Sequence, residues 1–177
     1  VLDSLLYSFA KQNDHVHSIE VARETLQAAQ ALHSVSGVSK ALWYLADGQL
    51  AMDDPDSALE TSAALIRLSR HGHSVPRRVL AHAVWFTSAI HWRRGHLDAA
   101  ERCLNDLAGP ALLDGKLSVR IALVRSTLRA LSGRCEEAAH LFAAVPMDDF
   151  GHQMDEVLVH WGETAALIAN CVGDVQR

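Results

Sequence analysis

The sequence contains little proline, few aromatics and almost no cysteine: four Pro, 6% aromatic residues and three Cys in 177 residues. Runs of Val, Ile and Thr of the kind that mark strands are missing, and so are the Gly- and Pro-rich turns at short intervals of an all-β chain. Cys103, Cys135 and Cys171 are far apart, form no CxxC pair and are odd in number. Neither a zinc knuckle nor a disulfide framework is therefore expected, the thiols read as packing residues, and a reducing cytoplasm is the expected compartment. No apolar run approaches the roughly 18 to 20 residues that cross a bilayer. The first residues lack the basic head and cleavage site of a signal peptide. Positive charge is also short: sixteen Lys plus Arg against twenty-one Asp plus Glu leave a net charge of −5, the wrong sign for a general nucleic-acid or anionic-membrane surface.

Catalytic signatures are missing as well. The chain has no GxxxxGK[ST] phosphate loop, no GxGxxG, no GxSxG elbow and no HExxH. Gly37 to Lys40 reads GVSK, without the flanking glycine of a phosphate cradle. No catalytic residue and no cofactor is expected. The pairs His15-Val16-His17 and His71-Gly72-His73 fall in expected loops without further ligands at metal-binding spacing, so no metal is expected either.

What is present is a chain 49% hydrophobic, rich in Ala and Leu, with a short pattern that recurs. A turn residue is followed five positions later by Ala and four positions after that by a large apolar residue. Gly95, Ala100 and Leu104 carry the pattern, as do Gly133, Ala138 and Phe142; Asp53 and Ala58 fit it, and His17, Ala22 and Leu26 fit more loosely. Gly173 opens a further copy. Each turn lies between two helical patterns, so each repeat is expected to be a pair of antiparallel helices. Asp54 is placed to cap a helix, with Pro55 at its first position and Asp56 at the positive end of its dipole. Gly95 and Gly133 suit left-handed helix ends. Breaks at Ser69 to Ser74, Gly109 to Gly115 and Pro146 to Gly151 separate one pair from the next.

The run GRCEEAAHLFAAVP, with Ala, a large apolar residue and Pro in order, resembles the second half of a tetratricopeptide repeat. The resemblance extends over nearly the whole chain. It implies an all-α fold, a right-handed superhelix of antiparallel helix pairs with about four to five repeats, formed by residues 1–177 as one domain of a longer protein. The small residue such repeats place seven positions before the turn is present as Ala46, Ser88, Ser126 and Ala166. Their usual aromatic three positions later is replaced by Gln49, His91, Arg129 and Ala169, Ser62 stands where a large apolar residue belongs, and the repeats exceed the 34-residue norm. The lengthened form is similar to helical-repeat segments of large bacterial regulators, among them LuxR-type ATP-binding regulators and antibiotic-pathway activators.

Such repeats bind in a concave groove lined by the first helix of each pair. Ten positions before each turn residue stand Tyr7, Trp43, Trp85, Leu123 and Glu163; three positions earlier stand Ser4, Lys40, His82, Arg120 and His160. An aromatic stripe beside a basic one suits an extended peptide or a small effector with apolar groups and a carboxylate. The same Trp residues equally suit packing between repeats. Trp92, with Arg93 and Arg94, is a second candidate at the groove rim, or a basic helix end facing the dipole. The expected function is a non-enzymatic scaffold that binds a protein, peptide or small molecule within a bacterial transcriptional regulator or signalling protein. Self-association through the helix from about Glu156 to Val172 is the alternative, and a metal-dependent helical enzyme a distant one.

Overall fold

In a computed structural model, residues 2–71, 74–105, 115–145 and 155–175 are described. Every regular element among them is an α-helix, which makes the protein all-α: α1 (Leu2–Lys11), α2 (His15–Ala31), α3 (Val35–Ala51), α4 (Pro55–Arg70), α5 (Arg77–Arg93), α6 (Leu97–Asn105), α7 (Gly115–Leu131), α8 (Cys135–Ala143) and α9 (Asp155–Val175). None is long and apolar enough to cross a membrane.

The described joints share one chemistry. Asn13, His33, Asp53, Gly95 and Gly133 adopt the left-handed conformation, with φ of 56°, 51°, 59°, 77° and 73°. In each case the following N–H reaches back five residues to a helical carbonyl, as in Asp14 to Phe9 at 3.0 Å, Ser34 to Ala29 at 2.9 Å and Arg134 to Arg129 at 2.9 Å. This is the Schellman closure of a helix end, and the residue that donates it stands at the start of the next helix. Three of these residues then cap that helix through their side chains: Asp14 accepts from the His17 N–H at 3.3 Å, Ser34 from Gly37 at 3.2 Å and Asp54 from Ser57 at 3.1 Å. One helix therefore stops and the next starts within three residues.

These joints correct the repeat register in three places. The first turn residue is Asn13, one helical turn before His17, and the pattern then falls on Ser18 and Ala22, both fully buried (2% and 0%). His15 and His17 accordingly stand in the first turn of α2, not in a loop. A turn at His33 carries no glycine or proline to announce it; the Schellman bond and the Ser34 cap hold it there instead. Gly173 lies inside α9, because a lone glycine without a cap behind it does not stop a helix. The break at Ser69 begins later, since α4 runs on through Arg70, and Gly115 opens α7. The breaks expected at 109–114 and 146–151 lie outside the described residues.

The chain divides into two units, Val1–Ile90 and His91–Arg177. In the first, Leu6, Ala22 and Leu45 pack with Ile19, Val21 and Tyr44, while Leu65, Val79 and Ala83 pack with Leu42, Trp43, Ile66 and Val75. Helices α2 and α3 are antiparallel and very close: a Cβ at Gly37 would meet Ala29 at 2.8 Å, and one at Gly48 would meet Ile19 at 2.7 Å. The Gln49 side-chain amide and the Thr61 hydroxyl, 2.8 Å apart, tie α3 to α4.

In the second unit α7 and α8 are antiparallel. Val119, Leu123 and Val145 form a cluster with Phe142 at one end, and at the other the Ser126 hydroxyl donates to the Ala138 carbonyl at 2.6 Å. Helix α9 runs parallel to α7, with Thr127 against Thr164 at 2.9 Å and Ala130 against Ile168. The small residues Ala46, Ser88 and Ser126 are buried as their register requires, but Ala166 is exposed, and Thr164 is the small residue α9 buries against α7.

A disulfide joins Cys135 to Cys171, with Cα atoms 5.5 Å apart. This overturns the expectation of three packing thiols. The two cysteines are 36 residues apart, close to one repeat length, so contact between neighbouring helices brings together residues that no sequence motif links. Cys103 stands outside this disulfide.

Candidate aromatic binding site

Arg78, His82, Trp85 and Phe86 occupy positions i, i+4, i+7 and i+8 of α5 and so share one face of it. Trp43 and Tyr44 reach the same place from α3, across the cluster of Leu65, Val79 and Ala83 on which Trp43 rests. The rings form a chain of contacts. Tyr44 stacks on Trp43 at 4.9 Å between centroids, and Trp43 on His82 at 4.8 Å with 24° between planes. His82 meets the edge of Trp85 at 6.4 Å and 80°, and Trp85 leans on Phe86 at 5.0 Å. The Arg78 guanidinium lies 5.9 Å from the Trp43 centroid, within the range of a cation–π contact.

Phe86 is buried, whereas Trp43, Tyr44, His82 and Trp85 are half-buried and Arg78 is exposed. The cluster thus has a buried root and a wet rim of aromatic edges beside a cation. Half-buried aromatic edges offer rigid apolar contact area, and the arginine places a positive charge beside them. Lys40, half-buried on α3, stands one helical turn before Trp43.

Of the residues singled out in sequence, Trp43, His82 and Trp85 come together here, with Lys40 on the same helix as Trp43. Tyr7 is exposed on α1 (58%), and with Asn13 as the turn residue it is six positions before the turn, so its equivalence to the two tryptophans falls. Trp92 is half-buried and Arg93 exposed at the end of α5, in the second unit. Arg120 is half-buried on α7, and Leu123, the counterpart of Trp43 and Trp85, is wholly buried in the core of that unit. His160 lies on α9, with its side chain outside the described residues. The exposed positions described on α9 are Gly162, Glu163, Ala166, Ala169, Asn170 and Gly173. Among the described residues no three His, Cys, Asp or Glu side chains are grouped to hold a metal ion. The His17 ring lies 2.8 Å from the Asp14 carboxylate, whose pKa is lowered first by the His17 N–H it caps.

Sequence reasoning missed Arg78, Tyr44 and Phe86, although the i, i+4, i+7, i+8 spacing along α5 would have found two of them. It also missed a polar network at the register position where a tetratricopeptide repeat carries its aromatic. Arg129 pairs there with Glu101 and, at 3.3 Å, with Glu137, while Arg134 donates to Glu101 at 2.9 Å. Burial opposes ionisation of Glu101, but the hydrogen bond from Arg134 and the charge of Arg129 prevail and hold its carboxyl below the ordinary glutamate value. At the equivalent position His91 faces His96 at 6.2 Å; burial, then the charges of His96, Arg94 and Arg102, push its pKa down. Polar residues at this one position of successive repeats are the signal that was there to read. No protein-family model matches the chain, and no curated protein matches it.

Proposed function

We propose that this chain is a binding domain of the helical-repeat kind, and that the aromatic face of Trp43, His82 and Trp85 receives an extended peptide or a small effector bearing an apolar group and a carboxylate. The observation that carries the reading is the near-parallel Trp43–His82 stack, half-buried, with the Arg78 guanidinium 5.9 Å from the Trp43 ring. An apolar side chain would enter between the aromatic edges, which offer rigid area at little entropic cost, and an acidic group would pair with Arg78 or Lys40.

The right-handed superhelix of four to five tetratricopeptide-like repeats belongs to this proposal. Its support is the repeated left-handed joint and the buried small residues Ala46, Ser88 and Ser126. Such a domain would serve as the sensing segment of a cytoplasmic bacterial regulator, with neither catalysis nor direct nucleic-acid contact of its own.

The test is fluorescence titration with an array of short peptides that combine Leu or Phe with Asp, Glu or a free C-terminal carboxylate. Trp43→Ala should weaken the best binder by about tenfold or more, as expected for an aromatic anchor, and Arg78→Gln should weaken acidic peptides more than their amidated counterparts. Affinities unchanged in both variants would refute the assignment.

A further inference from the structure

We propose that the aromatic site of Trp43, His82 and Trp85 has a direction: Asp47 takes the ammonium of the ligand while Lys40 and Arg78 take its carboxylate. The ligand is then a zwitterion about as long as an extended tripeptide, with an apolar side chain in its middle. The inference rests on the binding reading above and adds to it the group that receives the other end of the ligand.

Lys40, Trp43, Tyr44 and Asp47 stand at positions i, i+3, i+4 and i+7 of α3 and so share one face of it, and all four are half-buried. The opposite face carries the buried Ala41, Leu45 and Gly48. Lys40 lies one turn before Trp43 and Asp47 one turn after it, so charges of opposite sign flank the ring along the helix. At 1.5 Å per residue they are about 10 Å apart along the axis, and an extended chain covers that span in about three residues.

The surrounding charges follow the same order. Helix α4 starts at Pro55, just after α3 ends at Ala51, and is tied to it through Gln49 and Thr61, so the two run antiparallel. Their joint carries Asp53, Asp54 and Asp56 at the Asp47 end. Arg67 and Arg70, in the last turn of α4, return to the Lys40 end. Helix α5 starts there with Arg77 and Arg78, and the Arg78 guanidinium lies 5.9 Å from the Trp43 ring. The α3 dipole adds to this field, positive at its N-terminal end and negative at its C-terminal end. A purely acidic ligand gains from one end of the field only. A zwitterion laid along α3, carboxylate towards Lys40 and ammonium towards Asp47, gains from both and sets its middle side chain on the Trp43–His82 stack. The reverse orientation brings like charges together at both ends, which selects one direction of binding.

The experiment is calorimetric titration of the whole chain with the tripeptide Ala-Phe-Ala in its free, N-acetylated and C-amidated forms. Acetylation and amidation should each weaken binding to the wild type by about tenfold, the scale of losing one charge-assisted hydrogen bond. Asp47→Asn should bind the free and acetylated peptides alike while keeping the amidation penalty, and Arg78→Gln should do the converse. The proposal is overturned if the wild type binds the acetylated peptide as tightly as the free one, a comparison that needs no variant, or if Asp47→Asn still separates the two as the wild type does. Trp43→Ala tells the two readings apart. Binding that it abolishes but that ignores acetylation sinks the direction of the site alone, whereas binding that it leaves unchanged, or no binding of the free peptide at millimolar concentration, sinks the aromatic site and this inference with it.

Discussion

Gly48→Ala places a methyl group between α2 and α3 at their closest described approach, and its effect follows from two opposed contributions. Gly48 sits inside α3, where alanine is favoured over glycine by about 1 kcal/mol through backbone entropy alone. The new Cβ would lie 2.7 Å from Ile19 Cγ1, 3.4 Å from its Cδ1 and 3.6 Å from the His15 carbonyl oxygen. Ile19 cannot swing aside freely, because it packs against Leu6, Ala22 and Leu45. Overpacking of this kind costs roughly 1–3 kcal/mol, so the net change is a destabilisation of about 1 kcal/mol, the balance of the two. In an Ile19→Ala background the obstructing atoms are gone and the same substitution should stabilise by about 1 kcal/mol. Urea unfolding of the wild type, both single variants and the double variant closes the cycle, with an expected coupling of about 2 kcal/mol between the sites. Equal stabilisation by Gly48→Ala in both backgrounds would refute the close approach of the two helices.

Thr127→Val should destabilise by about 1 kcal/mol in urea because it removes the buried hydrogen bond to Thr164, and Thr127→Val with Thr164→Val together should cost less than the sum of the two. His33→Gly should stabilise by about 1 kcal/mol, since His33 holds a left-handed conformation that glycine adopts without steric penalty; thermal unfolding would read it, and no gain would refute the turn. Glu101 has a folded pKa below its ordinary 4.5, so its ion pairs contribute stability that is present above that value and lost as pH falls through the lower folded one. Acid unfolding of Glu101→Gln should accordingly start from lower stability at neutral pH and decline less steeply below pH 4.5 than the wild type.

The helical class and most joints were legible in the sequence because they depend on local chemistry. Asp54, Pro55 and Asp56 announce a helix start by what their own atoms can bond, and Gly95 and Gly133 announce helix ends because a left-handed residue without a Cβ is unstrained. His33 was illegible because no glycine or proline marks the turn and histidine adopts that conformation only at a steric cost; the Schellman bond from Ser34 to Ala29 holds it there. The alignment of Trp43 with His82 and Trp85 was legible as a register, counted from turns correctly placed at Asp53 and Gly95, whereas Tyr7 was assigned through a turn misplaced by one helical turn. Leu123 occupies the corresponding place in α7 yet is wholly core, so register alone does not decide which side chains reach solvent. The stacking of Trp43 on His82, the Arg78 cation above it, the Glu101 network and the Cys135–Cys171 bond were decided by tertiary structure. Each joins residues on different helices, and which of them meet depends on how those helices pack, as the approach of α2 to α3 depends on Gly37 and Gly48, rather than on any one stretch of chain.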